Sequence, residues 1–93
     1  MAEYSIGEAL SIFLERNKWK QKAYEIRLRN EWEQVTGKTI ARYTRSIALK
    51  DRVLTIFTDV AALKQEIMFS KGQLIQTINT YFSDRVVDDI MVR

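Results

Sequence analysis

Apolar residues recur along this chain with two periods, about 3.6 and 2, and each change of period marks a change of element. Ile6, Ala9, Leu10, Phe13 and Leu14 fall at i, i+3, i+4, i+7 and i+8, the stripe of an amphipathic helix. Ser5-Ile6-Gly7-Glu8 opens it with a capping-box pattern, in which the Ser5 hydroxyl and the Glu8 carboxylate each satisfy a helix-end amide. The stripe predicts a helix to about Arg16, docked on the domain's own core, because exposing Phe13 and Leu14 would leave an apolar patch. A partner-facing stripe is the alternative. Asn17-Lys18-Trp19-Lys20-Gln21-Lys22 interrupts the pattern and reads as a connector. Tyr24, Leu28, Trp32 and Val35 then give a second helix over about 22–36, with Trp32 as its core anchor.

Gly37 breaks that helix, and residues 38–45 lead into a strand. Ile47 and Leu49 alternate with polar neighbours, Val53 to Thr58 is β-branched and aromatic, and Lys50-Asp51-Arg52 between them marks a hairpin. Asp59 is placed to cap a long helix whose Leu63, Ile67, Leu74, Ile78 and Phe82 share one side. Ser70-Lys71-Gly72 weakens it, glycine costing about 1 kcal/mol relative to alanine, but the stripe resumes in phase, which predicts one helix. Val86 to Val92 reads as a last strand, with Val86, Ile90 and Val92 on one face and Asp88 at a rim or edge on the same side. The predicted fold is α+β, in the order α-α-β-β-α-β, with helices packed on one face of a three-stranded sheet. Phe57 points away from Leu54 and Ile56, to be covered by the first helix or by a second copy in a homodimer.

With 93 residues, 46% apolar and 29% charged, the sequence specifies a single folded domain over 1–93, too small to enclose a deep cavity beside its core. It has no cysteine and no histidine, which removes thiolate and imidazole nucleophiles, Ser-His pairs and the usual zinc sites. Ser5 and Ser70 therefore have no base to activate them. Asp84, Asp88 and Asp89 invite a metal, but on a strand Asp88 and Asp89 point to opposite faces. We expect no catalytic residue, no metal and no cofactor. With no apolar run of about 18 residues and no signal-peptide pattern, a cytoplasmic protein without membrane contact is expected.

Charge is segregated although the net value is only +3. Residues 1–15 carry three acids and no base, residues 16–52 eleven bases against four acids, and residues 53–93 four bases against five acids. In the basic segment Glu25, Arg29 and Glu33, and Arg27 with Glu31, are spaced for pairing along a helix. Lys38, Arg42, Arg45, Lys50 and Arg52 have no acid at that spacing, which makes them the candidate nucleic-acid contacts, with plain solubility as the rival reading. Trp19 among lysines could stack on a base, or pin the connector to the core.

The spaced set Trp32-x-x-Val35-x-Gly37-x-x-Ile40-Ala41-x-x-Thr44, then Leu54-x-Ile56, Glu66-Ile67, Leu74, Asn79 and Ile90, resembles the bacterial DciA family over about 5–93. The resemblance implies a K-homology-like domain and a role in loading or recruiting the replicative DNA helicase during replication initiation. Asp51-Arg52 stands where the family often has Asp-Gly, so a turn needing positive φ at 52 would be strained. The chain ends at Arg93, after the last strand, as a short form without the tail of many members, and it lacks the Gly-x-x-Gly loop of K-homology domains. The expected function is a non-catalytic adaptor for the replicative helicase with weak contacts to single- or double-stranded DNA. A sequence-tolerant module for RNA or single-stranded DNA, unconnected with the helicase, is the alternative.

Overall fold

The computed structural model describes residues 5–93. Its first element, α1, is one helix of 31 residues, Ile6–Thr36, opened by Ser5, whose Oγ accepts the Glu8 N–H at 3.1 Å. The expected connector at 17–22 is helical. Lysine, tryptophan and glutamine all tolerate a helix interior, and an interrupted apolar stripe without glycine or proline does not stop one. The helix bends at Glu31 (φ −113°, ψ 17°), whose carboxylate is held by Arg27 and the Tyr81 hydroxyl.

Gly37, at φ 93° and ψ 169°, separates α1 from α2 (Lys38–Tyr43), a short helix in the segment expected to be a lead-in to the sheet. That backbone region is essentially reserved for glycine. The corner is closed by Trp32, whose Nε1–H donates to Thr44 Oγ1 at 3.1 Å while Thr44 donates to the Ile40 carbonyl at 2.6 Å. Trp32, Gly37, Ile40 and Thr44 thus form one folding unit.

Strands β1 (Ser46–Lys50) and β2 (Val53–Phe57) form the hairpin, and β3 (Asp89–Val92) lies parallel to β2, giving the order β1-β2-β3. Ile47 faces Ile56 and Leu49 faces Leu54, so one face of the pleat is apolar. That face is buried with Ile90 under Leu28, Trp32 and Val35 of α1, Leu63 and Ile67 of α3 (Ala61–Phe69), and Leu74 and Ile78 of α4 (Lys71–Phe82). The α+β fold with helices on one face of a three-stranded sheet is as expected. Phe57 stands half-buried on the opposite face, across from Ser46.

Three boundaries differ from expectation. Asp59 does not cap the third helix; Thr58 Oγ1 accepts the Val60 N–H at 3.2 Å, while Asp59 turns to Arg45. The single long helix is two, because Ser70 (φ −107°, ψ 27°) breaks it. The break lets α3 lie along β3 while α4 turns to meet α1 as well. The last strand begins at Asp89 rather than Val86. Val86 and Val87 are both buried, which a two-residue alternation cannot produce. They are held by Asn79, whose Oδ1 accepts both their N–H groups at 2.9 Å and whose Nδ2 donates to the Val87 carbonyl at 3.0 Å.

Candidate functional site

The hairpin turn is built on Asp51 (φ 51°) and Arg52 (φ 62°), both left-handed, as a two-residue turn matched to strand twist requires. Each non-glycine residue there costs about 1–2 kcal/mol. Backbone bonds offset the strain at Arg52: its N–H donates to Gln21 Oε1 at 3.2 Å, and its carbonyl accepts the Asp88 and Asp89 N–H groups at 2.7 and 3.3 Å. The turn is therefore fixed between α1 and the approach to β3, with the Arg52 guanidinium left out of the bonding.

The outer edge of β1 is closed by side chains of α1. Glu25 Oε2 accepts the Leu49 N–H at 2.8 Å, and Arg29 donates to the Ile47 carbonyl through Nε at 3.3 Å and Nη2 at 3.2 Å. Burial alone would raise the Glu25 pKa, but the Leu49 amide, Lys22 and Arg29 outweigh it and hold the carboxyl below its ordinary value. Of the two acids spaced to match Arg29, Glu25 pairs with it at 3.6 Å, and the guanidinium otherwise serves the strand.

These two attachments place the cations at opposite ends of β1. Lys38 and Arg42, one turn apart on α2, border a hollow with Glu33 and Ala41. Arg45 borders the neighbouring hollow, together with Arg29, Asn30 and Thr44. At the other end Lys50 joins Lys18 and Lys22 around a groove between α1 and the hairpin, and Arg52 lies close enough to Lys20 to act on its charge. Five residue steps along β1, roughly 16 Å of chain, separate Arg45 from Lys50. The five residues singled out from sequence thus form two groups rather than one.

Of the five, Lys38, Arg42, Lys50 and Arg52 form no ion pair among the described residues, while Arg45 meets Asp59 at 3.2 Å with both side chains exposed. An exposed pair of that kind is worth less than about 1 kcal/mol and leaves Arg45 available. Arg42 also stacks its guanidinium 5.6 Å from the Tyr43 ring centroid. Trp19 is 79% exposed, on the side of α1 turned from the core, beside Lys18 and Lys22. It does not pin a connector. Sequence reasoning set Lys18 and Lys22 aside as connector lysines; their i, i+4 spacing on a helix face was the signal that they share one rim.

The acids do not converge. Asp88 pairs with Arg85 and Asp89 with Lys71, both at 2.6 Å, and no group of three acids able to hold a metal ion occurs among the described residues. Asp84 accepts the Tyr24 hydroxyl at 2.5 Å and Lys20 at 2.9 Å, which holds its carboxyl down at about 2. Among the described residues no helix is long and apolar enough to cross a membrane.

The scaffold and its surface define a class first: a small α+β domain that presents its chemistry on open faces and strand ends rather than in an enclosed site. The chain belongs to the DciA family, whose model, described as Dna[CI] antecedent, DciA, matches residues 5–92. This is a replication-related family of non-catalytic, helicase-loader type. A UPF0232 protein of Corynebacterium glutamicum (strain R) is 24% identical over 88 residues, covering 95% of this chain and 49% of that protein. The chain thus spans about half the length of the curated relative it matches. No solved structure matches.

Proposed function

We propose that this chain is a non-catalytic adaptor that binds the replicative DNA helicase and makes weak, sequence-tolerant contacts to DNA. Membership of the DciA family over residues 5–92 carries the reading for the helicase. The cations Lys38, Arg42, Lys50 and Arg52, without acidic partners among the described residues, support the DNA contact, with Arg45 beside the first pair. Phosphate contacts of this kind position a strand without reading its bases. A second reading, a module for single-stranded DNA or RNA unconnected with the helicase, is favoured by Trp19, exposed between Lys18 and Lys22 where a base could stack.

Capture of helicase from a bacterial lysate, with and without nuclease, separates the two. Helicase retained after nuclease treatment supports the adaptor; its absence alongside abundant RNA supports the module. For the basic residues, anisotropy of labelled single-stranded DNA across a salt series is the measurement. Replacing Lys38, Arg42, Arg45, Lys50 and Arg52 together with alanine should remove most binding and flatten the salt dependence, by up to about 0.7 in the log–log slope per lost contact. Unchanged binding at low salt would discard this assignment. Trp19→Ala should weaken single-strand binding by about fivefold or more if a base stacks there.

A further inference from the structure

The first half of α1, residues 6–21, is an arm that leaves the body of the domain, with Phe13 and Leu14 exposed on it, the reverse of the docking expected from the sequence. From Lys18 onward the helix also runs beside β1, and the seam between them is lined by cations on both sides. Lys18, Lys22 and Arg29 fall within about 40° of one another around the helix, on the side that overhangs the strand edge. At 1.5 Å per residue they form a row of about 16 Å, as long as the stretch from Arg45 to Lys50 on the strand. The two rows lie side by side. Lys18 and Lys22 share a groove of about 640 Å³ with Lys50, and Arg29 shares a hollow of about 470 Å³ with Arg45. That hollow adjoins the one at Lys38 and Arg42 through Glu33 and Ala41, which line both. The seam thus joins the two groups of unmatched cations.

The acids along it are fewer and partly engaged. Glu25 is buried, its carboxylate held by the Leu49 N–H, Lys22 and Arg29. Asp59 meets Arg45, which leaves Glu33 and Asp51 near the two ends, each beside at least two cations. The strand edge adds a donor. The Ile47 carbonyl faces outward to Arg29 and the Leu49 N–H outward to Glu25, so the Ile47 N–H faces the same way, and no side chain among the described residues accepts it. Because Glu25 and Arg29 already occupy this edge, a peptide strand has no place to add to β1. A ligand here is held through cationic side chains and one free amide, which suits phosphates.

We propose that a single nucleic-acid strand lies along the seam, its phosphates between the row on α1 and the row on β1. The central phosphate sits among Arg29, Arg45 and the Ile47 N–H, and Arg29 meets it through Nη1, which the Ile47 carbonyl and Glu25 leave free. Bases turn toward Trp19, which stands beside Lys18 and Lys22 on the outer side of the helix. This rests on the DNA contact proposed above and specifies the path that the strand takes.

Amide NMR of the isotope-labelled chain, titrated at low salt with an oligothymidylate of about eight nucleotides, should show shifts at Ser46, Ile47 and Ala48. Lys18→Gln with Lys22→Gln, both exposed, should weaken binding at least about fivefold and lower the log–log salt slope by about 1.4, at about 0.7 for each lost phosphate contact. Arg16→Gln with Lys64→Gln removes the same charge away from the seam, since Arg16 is two residues from Lys18 and so across the helix, and Lys64 is on α3. That pair should weaken binding by less than about twofold. Equal losses in the two double variants, or shifts confined to α2 and the hairpin turn, would overturn the seam while leaving a DNA contact elsewhere. An unaltered chain that binds no oligonucleotide would overturn both, and if a decaglutamate peptide then shifted the same amides, the seam would belong to an acidic partner instead.

Discussion

The two halves of α1 carry the same apolar stripe and meet opposite fates. From Lys22 to Thr36 the stripe is buried, Leu28 at 0% and Trp32 at 6% exposure; from Ile6 to Gln21 it stands in solvent, with Phe13 at 59%. The difference lies in what each half is opposite. A helix of 31 residues is roughly 46 Å long, whereas strands of five residues span only about 17 Å, so the sheet is too short to cover more than part of it. The molecule is 55 Å long and about 20 Å across for the same reason. Periodicity identifies the face of a helix that seeks cover; the length of the neighbouring element decides how much of that face is covered.

The sharpest break of this comparison is a matched pair of truncations. Trp32→Ala should cost about 3–5 kcal/mol in urea unfolding, from lost burial and the lost hydrogen bond to Thr44 Oγ1, whereas Phe13→Ala should fall within about 0.5 kcal/mol. Equal costs would mean that the arm packs on the domain. A smaller effect belongs to the point where helix meets strand edge. Glu25→Ala should lose about 2 kcal/mol by leaving the Leu49 N–H buried without an acceptor, and Glu25→Gln, which keeps a carbonyl oxygen there, should lose less.

The smallest effect is a pH dependence at the root of the arm. Asp84 is held at about 2 by the Tyr24 hydroxyl first and by Lys20 second. A carboxyl whose pKa is lower folded than unfolded adds stability that is present above its unfolded value, near 3.9, and lost as pH falls toward 2. Unfolding midpoints taken from pH 5 down to 2 should therefore decline across that window, and Tyr24→Phe should narrow the decline by removing the largest contributor. An unaltered pH profile in Tyr24→Phe would dissociate this cluster from acid sensitivity.

Much of the fold was legible because it depends on local periodicity. Ile47 to Thr58 alternated as a hairpin must, and Leu63, Ile67, Leu74 and Ile78 named the helix faces that reach the core. What escaped were features set by partners distant in sequence. Ser70 breaks the third helix because α3 and α4 must reach different neighbours, although the stripe runs in phase through the break. Val86 and Val87 are both inside because Asn79 holds their backbone, which no two-residue pattern encodes. Residues 17–22 looked like a connector because the apolar stripe lapsed there; the helix continues through Trp19 because continuity depends on backbone propensity, not on burial. For the site, residue type was informative and position was not: the sequence named unmatched cations, but only the placement of α2 and the hairpin at opposite ends of β1 divides them into two groups.

The Asp51-Arg52 turn separates two kinds of constraint that usually fall on the same residue. Main-chain atoms of Arg52 tie α1, the hairpin and the approach to β3 together, and its side chain takes no part. Position 52 is thus restricted in backbone geometry by the fold, while its side chain is left to the chemistry of the surface. Any residue that tolerates the left-handed region could replace the arginine without disturbing those ties, and glycine would relax them by about 1 kcal/mol. Charge at this end of the sheet can therefore be changed at position 52 without disturbing the architecture beneath it, which separates a test of binding from a test of folding.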